Sequence, residues 1–185
     1  METKYNSVKR ILKKNIFLTG FMGSGKTSVG KVLANYLKVD FFDTDELIVQ
    51  EQGMSVNEIF TRYGENYFRS RETEALKTLG NRSPGTCVIS TGGGAVLREE
   101  NFLLMKKNGL IVYLDVSAEE AWRRIKNNHD RPLLKVDNPC KVMRELLQER
   151  RPFYQKADLT INSSGKTVVE IAQEIFYEVI ARTGQ

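Results

Sequence analysis

The sequence predicts an α/β fold, a parallel sheet covered by helices on both faces, and three observations carry that expectation. Short continuous apolar runs recur along the whole chain, and longer stretches with helical spacing lie between them. A glycine-rich loop, Gly20-Phe21-Met22-Gly23-Ser24-Gly25-Lys26-Thr27, joins the first run to the first helical stretch. Such runs fit strands buried on both faces. Their alternation with helices means crossover units, whose right-handedness puts helices on both sides of the sheet.

In chain order the strands are expected at residues 15–19, at Val39 to Phe42, Cys87 to Ile89, Leu110 to Leu114 and Leu159 to Ile161. Val29, Val32, Leu33, Tyr36 and Leu37 form one stripe of a helix after the first strand. Ala118, Ala121, Trp122 and Ile125 repeat that spacing, with Ser117 as N-cap. Residues 140–155 read as a helix with Val142, Met143, Leu146 and Leu147 inward. Val168, Ile171, Ala172, Ile175, Phe176 and Val179 make the last one. No repeat or linker interrupts residues 15–185, which read as one domain behind a basic, mobile tail at 1–14. Ligands of such a sheet sit beyond the carboxyl ends of its strands.

A chain of 185 residues is long enough for one proper core. No apolar run approaches the roughly 20 residues that cross a bilayer. Lys9, Arg10, Lys13 and Lys14 before Ile16-Phe17-Leu18 imitate a secretory signal, but the run ends at Thr19-Gly20, too soon for one. A cytoplasmic protein is therefore expected. Cys87, Cys140 and the single His129 offer neither a disulfide framework nor a zinc set. The net charge of +5 comes from scattered basic residues without interleaved aromatics, which favours small polyanions over nucleic acid.

The glycine-rich loop matches G-x-x-x-x-G-K-[ST] at every fixed position, between strand and helix as the motif requires. A random chain of this length carries the pattern less than about once in a hundred. Its glycines let successive N–H groups curl around a polyanion, and the helix N-terminus behind them adds positive potential. Lys26 then reaches the β and γ phosphates, and the Thr27 hydroxyl can ligate Mg²⁺. Ser164-Gly165-Lys166-Thr167 imitates the end of this motif but has Thr160 where the first glycine belongs. It reads as a strand-to-helix turn.

Asp43-Thr44-Asp45 closes the second strand, where an acid can cap the next helix or serve chemistry. Beside a phosphate loop, acids at i and i+2 suit one Mg²⁺ partner and one partner for an attacking hydroxyl. Thr91-Gly92-Gly93-Gly94 follows the third strand, where glycines allow close backbone approach to a ligand. Arg69, Arg124, Arg131 and Arg150 are candidates to grip carboxylate or phosphate, against a default of solvated surface charge. The segment about 126–139, rich in Asn, Asp and Pro around Arg131, reads as a lid that closes over a phosphoryl-transfer site.

In order, these pieces resemble the shikimate kinase family over nearly all of the chain after residue 14. The matching features are the loop from Gly20, Asp43-Thr44-Asp45, Phe68-Arg69 with Glu72, Gly92-Gly93-Gly94, Arg131-Pro132-Leu133-Leu134 and the Arg-x-Pro-x-Tyr from Arg150 to Tyr154. The resemblance implies a nucleoside-monophosphate-kinase-like P-loop fold with five parallel strands in the order 2-3-1-4-5. It implies a monomer that transfers the γ-phosphoryl of ATP to the 3-hydroxyl of shikimate, with Mg²⁺, on the way to chorismate and the aromatic amino acids. Gly23, Ser24, Gly25, Lys26, Thr27 and Ser28 then hold ATP, with Arg124 against the adenine and Arg131 swinging in from the lid. Thr27 and Asp43 hold the metal. Asp45 binds the hydroxyls and acts as base, Arg69 and Arg150 hold the carboxylate, and Gly92, Gly93 and Gly94 approach the ring. The catalytic residues are Lys26, Asp45 and Arg131.

Two other readings remain open at this stage. A kinase of another small polyol acid, gluconate for example, fits the same fold. A nucleotide- or shikimate-sensing module fits the same loop, although such a module is expected to lose Lys26, Asp45 or Arg131, and all three are present.

Overall fold

Strand β1 (Asn15–Thr19) is buried along its whole length, because its apolar side chains alternate between two covered faces. The computed structural model describes residues 14–126 and 138–183. In it β1 lies at the centre of a parallel sheet with β2 (Asp40–Asp43), β3 (Cys87–Ser90), β4 (Gly109–Asp115) and β5 (Leu159–Asn162), in the expected order β2-β3-β1-β4-β5. Phe17 pairs with Ile89 and Ile111, and Leu18 with Ser90 and Val112, so the registers stack like residues on like faces. Each predicted strand is present within a residue or so of its expected bounds.

On one face Ile16, Leu18, Val88, Val112 and Leu114 pack under α1 (Lys26–Leu37) and, through Ile171, Ile175 and Val179, under the last helix, α7 (Val168–Thr183). On the other, Phe17, Ile89, Ile111 and Tyr113 meet the end of α3 (Val56–Gly80), α4 (Glu99–Asn108), α5 (Ala118–Ile125) and α6 (Pro139–Tyr154). Each fully buried Leu, Ile, Val or Phe contributes roughly 1.5–3 kcal/mol to this sandwich.

Between β2 and β3 the chain makes α2 (Thr44–Gln52) and the long α3. Ser55 and Glu58 close a capping box at the start of α3, and Gly64, at φ 78° and ψ 173°, breaks it into two segments. Only glycine adopts that conformation readily. The pair α2–α3 has its own small core of Ile48, Ile59, Phe68 and Ala75. No helix among the described residues is long and apolar enough to cross a membrane. The expected tail lies outside the described residues up to position 13, as do Arg131 and positions 127–137 of the expected lid.

Candidate active site

The loop after β1 curls as the glycines allow: Gly20, Gly23 and Gly25 all have positive φ. A side chain at Gly20 would strike the Leu114 carbonyl, and one at Gly23 the Ala121 carbonyl, each at 2.7 Å. The loop is thus pressed against the end of β4 and against α5. Lys26, the first residue of α1, sends its ammonium back into the curl, donating to the carbonyls of Gly20 at 2.8 Å and Phe21 at 3.0 Å. Ser24 is buried and Ser28 is exposed in the first turn of α1.

Asp43 uses its two oxygens for different partners. Its Oδ1 accepts the Asp45 N–H at 3.0 Å and so caps α2, while its Oδ2 accepts the Thr27 hydroxyl at 2.7 Å. A hydroxyl from the first turn of α1 and a carboxylate from the end of β2 therefore converge at the mouth of the phosphate loop. Between the two acids, Thr44 is buried and its Oγ1 accepts the Gly92 N–H at 3.0 Å, tying the second strand's end to the third's.

Each glycine of the triplet after β3 is approached by a different partner. At Gly92 a side chain would collide with Glu72 Oε1 and, at 2.9 Å, with Asp45 Oδ1. At Gly94 it would enter the Arg69 guanidinium, within 2.6 Å. Gly93 faces the phosphate loop, 3.3 Å from a Cβ position to the Gly20 carbonyl, and its own carbonyl accepts the Tyr154 hydroxyl at 2.6 Å. Burial pushes the Tyr154 phenol up to about 12, against the pull of Arg150, one turn earlier on α6. The glycines thus gather Asp45, Arg69 and the end of α6 around one point beside the phosphate loop.

Arg69 is held from below. Its Nη1 donates to Glu72 Oε2 at 2.5 Å, and Glu65 takes its Nε and Nη2. Thr73, on the same helix, donates to the buried Asn101, whose amide in turn donates to the Ala95 carbonyl just beyond the glycines. Helix α3 and the glycine turn are therefore locked together through the bonded pair Thr73 and Asn101.

Glu72 is fully buried, and burial pushes its carboxyl up to about 7, against Arg69 and with help from the Asp45 charge. With the folded value above the unfolded one, the native state binds more protons between roughly pH 4.5 and 7, and stability from this group is lost as pH rises through about 7. We expect urea unfolding of the wild type to lose on the order of 2 kcal/mol from this group between pH 5 and pH 8. Glu72→Gln should lack that component, and an identical pH slope in both proteins would contradict it.

The family model "Shikimate kinase" matches residues 22–180. The shikimate kinase of Caldanaerobacter subterraneus subsp. tengcongensis is 48% identical over 175 residues, 93% of this chain and 99% of that one. The chain belongs to the shikimate kinase family. Among solved structures, the shikimate kinase of Acinetobacter baumannii in complex with shikimate matches with a TM-score of 0.90 and 36% identity, covering 96% of this chain and 98% of that one. The shikimate kinase of Aquifex aeolicus matches with a TM-score of 0.78 and 38% identity, over 91% and 97% of the two chains.

Of the residues that the shikimate kinase pattern assigns to ATP, Arg124 is placed as a brace. Its guanidinium donates to the carbonyls of Gly23 at 3.2 Å, Ser24 at 3.4 Å and Ser163 at 2.6 Å, and its Nε pairs with Glu120. It ties the phosphate loop to the loop after β5. Trp122 packs against the core. The imitation motif is a turn with a cap: Thr167 and Glu170 exchange bonds at the start of α7, and Lys166 pairs with Glu174. Thr44, Glu72 and Tyr154 join the site as well; the sequence carries them as letters of the family pattern without an assigned role.

Proposed function

We propose that this chain transfers the γ-phosphoryl group of ATP to the 3-hydroxyl of shikimate, giving ADP and shikimate 3-phosphate. One observation carries the reading. The glycine triplet brings an aspartate for hydroxyls and an arginine for a carboxylate to one point facing the phosphate loop, and Tyr154 ties to it the helix turn bearing a second arginine. An acid bearing ring hydroxyls is the acceptor such a set recognises.

The phosphate loop wraps the ATP phosphates with its N–H groups, and Lys26 moves from the Gly20 and Phe21 carbonyls to the transferring group. Thr27 and Asp43 fit a divalent cation, since two hard oxygens lie 2.7 Å apart and Mg²⁺ takes few protein ligands beside phosphates and water. When bound, Mg²⁺ neutralises charge developing on the phosphate oxygens. Asp45 orients the 3-hydroxyl and accepts its proton as the new O–P bond forms and the bond to ADP breaks. Arg69 and Arg150 hold the carboxylate, the Gly93 N–H meets a ring hydroxyl, and Arg124 offers its flat face to the adenine. Arg131, outside the described residues, adds positive charge to the ATP phosphates. We take the active form to be a monomer, as the family resemblance implies, acting in the cytoplasm.

The test is ADP release by purified protein with Mg-ATP, with and without shikimate, and with gluconate as control. Release that depends on shikimate is expected; release with gluconate alone would move the acceptor to another polyol acid. Arg150→Ala is expected to raise KM for shikimate by about 10- to 100-fold, the worth of a charge-assisted hydrogen bond, with KM for ATP within about twofold. Equal losses for both substrates would assign Arg150 to the fold.

A further inference from the structure

We infer that Tyr154 is a positioning residue for the acid acceptor: its hydroxyl pins the middle of the glycine triplet to the helix turn that carries Arg150, so the two meet the acceptor as one unit. The inference rests on the proposal above that Arg150 and the triplet hold that acceptor. A run of glycines has no side chains to order it and loses more freedom on folding than any other sequence. Here the two ends of the run are held by ordinary means. Gly92 is fixed by the Thr44 hydroxyl and by the Ala95 N–H, and the Gly94 carbonyl accepts the Leu97 N–H of the short turn that follows. Among the described residues, the middle carbonyl has one side-chain partner, the Tyr154 hydroxyl at 2.6 Å.

Tyr154 is itself rigidly seated. It is fully buried and stacks on Tyr113, ring centroids 5.1 Å apart and 15° from parallel. The Tyr113 hydroxyl donates to Asp115 at 2.7 Å, and Arg151 grips both oxygens of the same carboxylate at 3.0 and 2.7 Å. Arg150 therefore opens a helix turn that is anchored at its neighbour Arg151 and, four residues on, at Tyr154. In a trans peptide the C=O and N–H point in opposite directions. Holding the Gly93 carbonyl thus also sets the direction of the Gly94 N–H, next to the Arg69 guanidinium.

Tyr154→Phe in the full chain keeps the ring stack and removes only the hydroxyl. We expect KM for shikimate to rise about tenfold, as for one buried hydrogen bond, while KM for ATP stays within about twofold. Amide resonances of Gly93 and Gly94 in a ¹⁵N-labelled sample should shift relative to wild type, whatever the activity. Unmoved resonances would overturn the pinning. Unchanged KM for shikimate, with an active wild type, would overturn the role in acceptor positioning. Shifted resonances in a protein whose wild type ignores shikimate would uphold the pinning and sink the acceptor reading instead.

Discussion

Lys26→Met is expected to lower kcat by on the order of a thousandfold, while the melting temperature moves by only a few degrees. The ammonium lies inside the curl of the loop against the Gly20 and Phe21 carbonyls, a place where positive charge faces whatever polyanion the loop wraps. Charge on the phosphate oxygens grows during transfer, so removing a fixed cation there costs more in the transition state than in the bound substrate. Methionine keeps most of the stem's length and apolar packing. The lost bonds to two carbonyls are neutral–charged contacts of a half-buried group, which the loop's own backbone bonds outlast. Turnover at the wild-type rate would remove the phosphate loop from the mechanism. Collapse of the fold would instead show that Lys26 holds the loop together.

The elements legible in the sequence are those whose burial is uniform. β1, β3 and β4 are covered on both faces, so continuous apolar runs mark them, and α1 and α7 carry a full apolar stripe toward the sheet. Three helices were not legible as periodic patterns, and each for a physical reason. Helix α3 turns Glu72 and Thr73 inward beside Phe68 and Leu76, and Gly64 interrupts its phase. Helix α4 buries Asn101 and exposes Leu103, the reverse of a simple apolar stripe. Helix α2 is short and buries only Thr44 and Ile48. Polar residues face inward there because they bond to one another and to the glycine turn after β3.

The site divides along the same line. Phosphate binding is local, built from backbone groups within a few residues, so a linear motif reports it. The proposed acceptor side is assembled by contacts across long separations, such as Tyr154 with Gly93 and Thr44 with Gly92. In the sequence those residues are letters in a family pattern without an assigned task. Asp43 shows that capping leaves room for a second partner: a carboxylate has two oxygens, and while one caps α2 the other takes the Thr27 hydroxyl.

Asp45→Asn is expected to lower kcat with shikimate by on the order of a hundred- to a thousandfold, the range for loss of a positioned base, and to leave ATP affinity within about twofold. The carboxamide is isosteric, and the backbone N–H that bonds Asp43 is untouched, so the cap of α2 survives. Its effect on stability separates the functional from the structural account. Asp45 and Glu72 crowd the same glycine, and the charge on Asp45 pushes the Glu72 carboxyl up. Neutralising Asp45 relieves that repulsion. It also removes an anion from the first turn of α2, a loss of about 0.3–1 kcal/mol. The two changes oppose each other, so the melting temperature should stay within a few degrees while activity falls steeply. A residue whose loss disables the enzyme but does not weaken the fold is there for the reaction. An unchanged rate with shikimate would remove Asp45 from the acceptor side, and a parallel fall in stability and activity would return it to structure.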